Sequence, residues 1–189
     1  RLSYVGELGY ELYIEKDNAK EIYDVIINNG KKYQLSLCGM HAMDIMRMES
    51  GYLHWGHDIS PEENQFEAGL NFAVSFKKNI NFIGRAALEK KRDKKEHKKF
   101  KMLILNNSKE GAPLLLHDEP IYLKDKIVGR TTSGCYSFNY SKNLAFGYIN
   151  SGLSSDQIDK EAFEIEVEKK KYSASVITRP LNDKKLGSL

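Results

Sequence analysis

Cysteine, long apolar runs and catalytic signature motifs are what this chain has least of, and each shortage closes off a class of protein. Its 2 cysteines, Cys38 and Cys135, lie far apart with neither metal-ligand nor disulfide spacing. That excludes a disulfide-stapled secreted scaffold, and buried free thiols in a reducing cytoplasm are expected. No apolar stretch approaches the roughly 20 residues of a membrane helix, so no membrane role is expected. Internal repeats and low-complexity tracts are absent. The serines sit in no glycine-framed elbow, and neither cysteine has a catalytic partner motif. The stretch "GELGYE" holds only two of the glycines of a dinucleotide loop and leads into a strand pattern. Nucleophilic catalysis and a cofactor-phosphate site are therefore not indicated.

What is present is ordinary for a globular protein: 189 residues, 41% hydrophobic and 29% charged, enough for one large domain or two small ones. The net charge of +3 is not evenly spread. The run "KKRDKKEHKKFK", Lys90 to Lys101, holds 8 of the 29 basic and 2 of the 26 acidic residues, leaving 21 basic against 24 acidic elsewhere. Such a block reads as a solvated helix end and linker rather than a phosphate-binding patch, so nucleic acid is not an expected partner. The chain starts at Arg1 directly ahead of a strand pattern, with neither an initiator methionine nor a signal peptide, and a piece of a longer protein is expected.

Residues 2–15 read as strand, turn, strand, punctuated by Gly6 and Gly9. Asp17 and Asn18 offer a cap for a helix with the apolar stripe Ile22, Val25 and Ile26, stopped at Asn29 and Gly30. A second helix fits "GMHAMDIMRMESG", Gly39 to Gly51, whose methionines cover enough of its circumference to predict packing on two sides as core filler. A strand is expected from Leu70 to Phe76 and a short helix around Arg85 to Glu89. Beyond the lysine run the texture changes to strands, with hairpin turns predicted at Asp125-Lys126 and at the lysines of "IEVEKKKYSASVI". A boundary near residue 98 separates an α/β part from a small antiparallel barrel or sandwich.

The stretch "HWGHD" presents His54, His57 and Asp58 as nitrogen and oxygen ligands. Their i, i+3 spacing joins side chains on a helix, whereas Gly56 argues for a turn, so no metal site is expected. Glu11 sits among apolar residues, and an unpartnered carboxylate in an apolar wall costs several kcal/mol, so it must be exposed, paired or used. With Tyr4, Tyr10, Trp55 and Phe72 it makes the set a flat, hydrogen-bond-donating heterocycle needs: aromatic faces for stacking and a carboxylate to grip two ring N–H groups. Core packing beside a solvated rim would give the same pattern, and the residues alone leave both readings open.

Three segments, "RLSYVGELGYELYI", "GMHAMDIMRMESGYLHWGHDISPEENQFEAGLNFAV" and "GRTTSGCYSFNYSKNLAFGYI", together resemble the glycine cleavage system T protein superfamily, the tetrahydrofolate-dependent aminomethyltransferases. The likeness runs in the same order over most of the chain. Within the superfamily, "SYVGELGYEL" and "GYLHWGHDI" resemble the C-terminal folate-binding portion of dimethylglycine and sarcosine dehydrogenases more than the free-standing T protein.

The resemblance implies an α+β fold: a ferredoxin-like α/β part, residues 1–97, completing a folate-binding domain, then a small antiparallel β-barrel, residues 98–189. It implies that Glu11 holds the pteridine ring of a tetrahydrofolate, that Tyr4 lines the same pocket, that Phe72 packs near the pterin, and that Trp55 belongs to the segment closing the central cavity. Glu7, in the turn, is structural on this reading. Met43 stands where the T protein pattern has an arginine, while Asp44, Arg47 and Glu49 of that pattern are present. The family's catalytic aspartate falls in an N-terminal half outside this chain, so no residue here is assigned as catalytic and the chain alone is expected to be inactive. FAD would belong only to a domain further upstream, if the protein is dehydrogenase-type. The implied partners are a folate and either that flavin domain or a lipoyl carrier protein. Two alternatives share the architecture: a folate-binding module without transferase activity, and a folate-dependent demethylase.

Overall fold

In β1 (Lys99–Leu105) every second side chain, Lys101, Leu103 and Leu105, is buried, which is the period-two signature of a strand with one covered face. The other strands are β2 (Pro120–Leu123), β3 (Lys126–Ser137), β4 (Lys142–Ile149), β5 (Ala162–Val167) and β6 (Lys170–Ile177); β3 alternates in the same way from Thr131 to Ser137, whereas β4 is buried on both faces from Asn143 to Ile149. In the computed structural model, which describes residues 3–78, 80–92 and 98–182, these strands close into an antiparallel barrel in the order β1-β4-β3-β2-β5-β6. Closure leaves no strand edge unpaired. Leu103, Leu105, Ile121, Ile149, Phe163 and Ile165 fill the interior, joined by Leu115 from the β1–β2 connection. At Gly134 of β3 an added Cβ would lie 2.5 Å from that of Leu115, so only glycine lets this connection cross the strand.

The β5–β6 hairpin turns at Glu168 and Lys169, with φ of 50° and 63°, where the lysine run placed it. The β2–β3 hairpin turns at Lys124 and Asp125, one residue earlier than Asp125-Lys126. Lys126 is already paired with Leu123 in the ladder, so it is not free to turn.

The region before the barrel contributes α1 (Ala19–Gly30), α2 (Met40–Glu49) and α3 (Arg85–Arg92). The fold is thus α+β and barrel-containing as expected, but the described part of this first region is helical, without a strand ladder. Residues 3–15 run as bends and irregular backbone, and the segment expected as a strand from Leu70 to Phe76 holds a 3₁₀ turn, Asn71–Ala73. A strand persists only where a neighbour takes up its N–H and C=O groups, and the described residues offer none here.

Helix α1 forms where predicted, yet Val25 and Ile26 of its apolar stripe stand exposed. In α2 the buried residues are Arg47, Met48 and Glu49, not the methionine face, and Met40 is exposed. Cys135 is buried but Cys38 is exposed, against the expectation of two buried thiols. The middle of the lysine run, residues 93–97, lies outside the described residues. A short fourth helix, α4 (Ser155–Ile158), joins β4 to β5 behind a capping box in which Ser154 and Gln157 bond each other's backbone.

Candidate functional site

The last turn of α2 carries two charges into the protein, and each is met by groups from the barrel. Arg47 is wholly buried; its guanidinium donates to Asp58 Oδ2, to Ser133 Oγ at 2.8 Å and to the Tyr52 carbonyl at 3.2 Å. Asp58, 0% exposed, also accepts from the hydroxyls of Thr132 and Ser133 and from the His54 backbone N–H at 2.8 Å. The Tyr148 hydroxyl of β4 donates to the Asp58 carbonyl at 2.8 Å. One turn on, Glu49 accepts from Ser137 Oγ at 2.6 Å and Asn139 Nδ2 at 2.9 Å. Every charge taken from water here has charge-assisted replacements, the condition under which buried ions are tolerated. Burial pushes the Tyr148 phenol upward, and the Cys135 thiol is pushed up to about 12, which makes that thiol inert.

Beside this cluster, between α2 and β3, lies a cavity of about 650 Å³ lined in part by His41, Asp44, Arg47, His54, His57 and His117. A smaller one of about 510 Å³ shares His57 and Thr132 as a wall. The His54–Asp58 turn does pass through Gly56 at φ 92°, but it brings the His54 and His57 rings to 4.6 Å between centroids, where the sequence spacing suggested they would diverge. The turn is held by backbone bonds from His57 and Asp58 to the His54 carbonyl. Among the described residues no group of three His, Cys, Asp or Glu is arranged to hold a metal ion.

The residues singled out by sequence are placed elsewhere. Glu11 is exposed and accepts a 2.7 Å hydrogen bond from the Tyr13 hydroxyl, which raises the tyrosine above its ordinary range. Tyr4 is half-buried, stacked 6.3 Å from Tyr52, with its hydroxyl toward the Leu53 carbonyl and its phenol raised chiefly by burial. Trp55 is 66% and Phe72 85% exposed. None of these four lines either cavity. Gly6, at φ 74°, lets the N-terminal segment lie on the end of α2, since an added Cβ would meet Ser50 Oγ at 2.0 Å. Sequence reasoning missed Asp58 as the partner of Arg47, and missed Thr132, Ser133 and Ser137 altogether. The available signal was "MRMES", where two opposite charges inside an apolar helix demand partners.

A helical region locked by buried charges onto a six-stranded closed barrel defines the class: an α+β module of two parts meeting at α2 and β3. Residues 1–78 match the GCVT N-terminal domain and residues 98–183 the glycine cleavage T-protein C-terminal barrel domain, so the chain belongs to the glycine cleavage T-protein family. It is 35% identical over 184 residues to mitochondrial dimethylglycine dehydrogenase of Homo sapiens, covering 96% of this chain and 20% of that protein. It is 34% identical over 149 residues to the aminomethyltransferase of Symbiobacterium thermophilum, covering 79% of this chain and 39% of that one. The crystal structure of the glycine cleavage system aminomethyltransferase T from Bartonella henselae superposes with a TM-score of 0.72 at 20% identity, over 86% of this chain and 44% of that one. The chain thus spans about a fifth of the dehydrogenase's length and under half of the aminomethyltransferases'.

Proposed function

We propose that this chain is the folate-facing part of a tetrahydrofolate-dependent aminomethyltransferase, of the kind that forms the C-terminal module of dimethylglycine and sarcosine dehydrogenase-like enzymes. The observation that carries this reading is the setting of Glu11, an exposed carboxylate inside a run of uncovered apolar side chains, Leu8, Tyr10, Leu12 and Tyr13. Contiguous exposed apolar surface of this kind marks a place where something binds. The bond from Tyr13 orients the Glu11 carboxylate and leaves acceptor capacity for two ring N–H groups, so the residues present fit a pterin edge. Tyr4, Phe72 and Trp55 would supply faces to stack on.

When bound, tetrahydrofolate supplies the nitrogen that accepts the one-carbon unit. The part of this chain is to hold and orient it, which converts an encounter into an effectively intramolecular step. No proton-transfer role is assigned here; on this reading the catalytic aspartate is supplied from outside this chain, which alone is inactive. Residues 1–97 then belong to the folate-binding domain and 98–189 to the barrel. The residues fit no FAD site, since "GELGYE" leads into irregular backbone rather than a helix N-terminus, so a flavin would sit on a separate domain. A flavin domain or a lipoyl carrier is the partner class. Among the described residues no helix is long and apolar enough to cross a membrane, and the exposed thiol of Cys38 supports a reducing compartment such as the cytoplasm.

Titrating folinic acid into the chain and into Glu11→Ala, with Trp55 fluorescence and heat of binding as readouts, tests the reading. Loss of a hydrogen bond to a charged group should weaken binding by about 1.5 to 3 kcal/mol. Equal affinity in the two proteins would sink the assignment of Glu11, and absence of binding in the full-length protein would sink the folate reading itself.

A further inference from the structure

Four of the chain's 5 histidines, His41, His54, His57 and His117, border the cavity between α2 and β3, and the folate reading uses none of them. Three form a file, with ring centroids 4.6 Å apart for His54 and His57 and 6.5 Å apart for His57 and His117. Two of the three have a carboxylate neighbour: His117 Nδ1 lies 2.9 Å from Asp118 Oδ2, and His54 Nδ1 lies 4.0 Å from Asp44 Oδ1. The N–H of an imidazole donates a hydrogen bond to an anion, so each ring of the file offers a donor. Arg47 beneath it is already committed to Asp58, Ser133 and the Tyr52 carbonyl, which leaves the imidazoles as the donors a ligand would meet.

The rim of the same cavity is apolar. Leu114, Leu116 and Phe138 all border it and all stand exposed, while Leu115 between the two leucines is buried in the barrel and anchors their segment. An apolar rim next to a file of imidazoles complements a ligand with an apolar body and an anionic end. The volume, about 650 Å³, falls within the usual roughly 300 to 1,000 Å³ of small-molecule sites.

We propose that this cavity binds a small amphiphilic carboxylate, with His54, His57 and His117 taking the carboxylate and Leu114, Leu116 and Phe138 the apolar body. The other charged groups around the file are Asp44, Arg47 and Asp58 on the helix side, and Glu110 and the Arg130-paired Asp118 on the barrel side.

The test is a titration of phenylbutyrate into the full chain, following the imidazole proton resonances by NMR, with Zn²⁺ titrated in parallel. Saturable shifts of the His54, His57 and His117 signals are expected. His57→Gln should weaken binding about tenfold or more, the size of one hydrogen bond to a charged group. Leu116→Ser, at an exposed position that leaves the fold intact, should weaken it as well. Shifts that do not saturate, affinity unaltered in both variants, or saturable Zn²⁺ binding without carboxylate binding would overturn the proposal. Neither folate nor Glu11 enters this experiment, so its failure would leave the folate reading standing.

Discussion

In the barrel, Leu103, Ile121, Phe146 and Ile165 are wholly buried, whereas in the region before it Leu12, Tyr13, Val25 and Met40 stand in solvent. Both regions are built from apolar residues at regular spacing, so composition does not separate them. Topology does, because the barrel's strands pair with one another and enclose their own apolar face. The first region leaves several apolar side chains uncovered, packs Met48 and Ile45 of α2 against Leu144 and Phe146 of the barrel, and buries the charges at the end of α2. Apolar patterning therefore marks which face seeks cover; connectivity decides whether the same chain provides it. An uncovered apolar face reads as contact surface, and the buried charges read as the clamp that holds it in place against the barrel.

The clamp is where the two regions are most sharply contrasted, and Asp58→Ala strikes it hardest. Removing one member of a buried pair leaves the other charge without compensation, and a loss of about 3 to 5 kcal/mol in unfolding free energy is expected. Denaturant unfolding followed separately by Trp55, before the barrel, and by far-UV dichroism would show whether the first region also loses its coupling to the barrel; coincident and unshifted transitions would break the clamp interpretation. Next in size is Ile165→Ala, a cavity in the barrel core with an expected cost of about 2 to 4 kcal/mol, set against Leu12→Ala in the exposed run, expected to stay within about 0.5 kcal/mol. Similar losses for the two would mean that the first region is covered in solution by something the chain itself supplies.

The barrel was legible because the texture changes to short strands beyond the lysine run, and its turns carry short polar pairs such as Glu168-Lys169. Helices α1 and α2 were legible from Asn18, Gly30 and Gly39 at their ends. The strands expected around residues 2–15 and Leu70–Phe76 were not real in isolation, since strand character is a property of a pair. The Arg47–Asp58 clamp was hidden because its members come from α2, a turn and β3, separated by up to 86 residues in sequence. Periodicity reports faces within one element; it is silent on which distant hydroxyl will meet a buried carboxylate. The histidine file was misread for a related reason, as side-chain proximity was assigned to helical spacing although a glycine turn produces it too.

The smallest expected effect sits on the same seam, at Glu63. This carboxylate accepts from the Ser60 hydroxyl at 2.7 Å and from Lys98, just ahead of β1, at 2.5 Å, thereby tying the first region to the start of the barrel. Burial alone would raise its pKa, but the bonds from Lys98 and Ser60 outweigh burial and hold it below its ordinary value. A carboxyl depressed in the folded state contributes stability that is complete above its unfolded pKa and is lost as pH falls through the folded one. Wild type should therefore exceed Glu63→Gln in thermal midpoint above pH about 5, with the gap closing toward pH about 3. Partial exposure of Lys98 to solvent keeps the difference small, near the upper end of what exposed pairs give, about 1 kcal/mol. A gap that persisted unchanged into acid would mean that Glu63 acts through packing rather than charge, and the charged contacts of the seam would then be those of Arg47, Asp58 and Glu49.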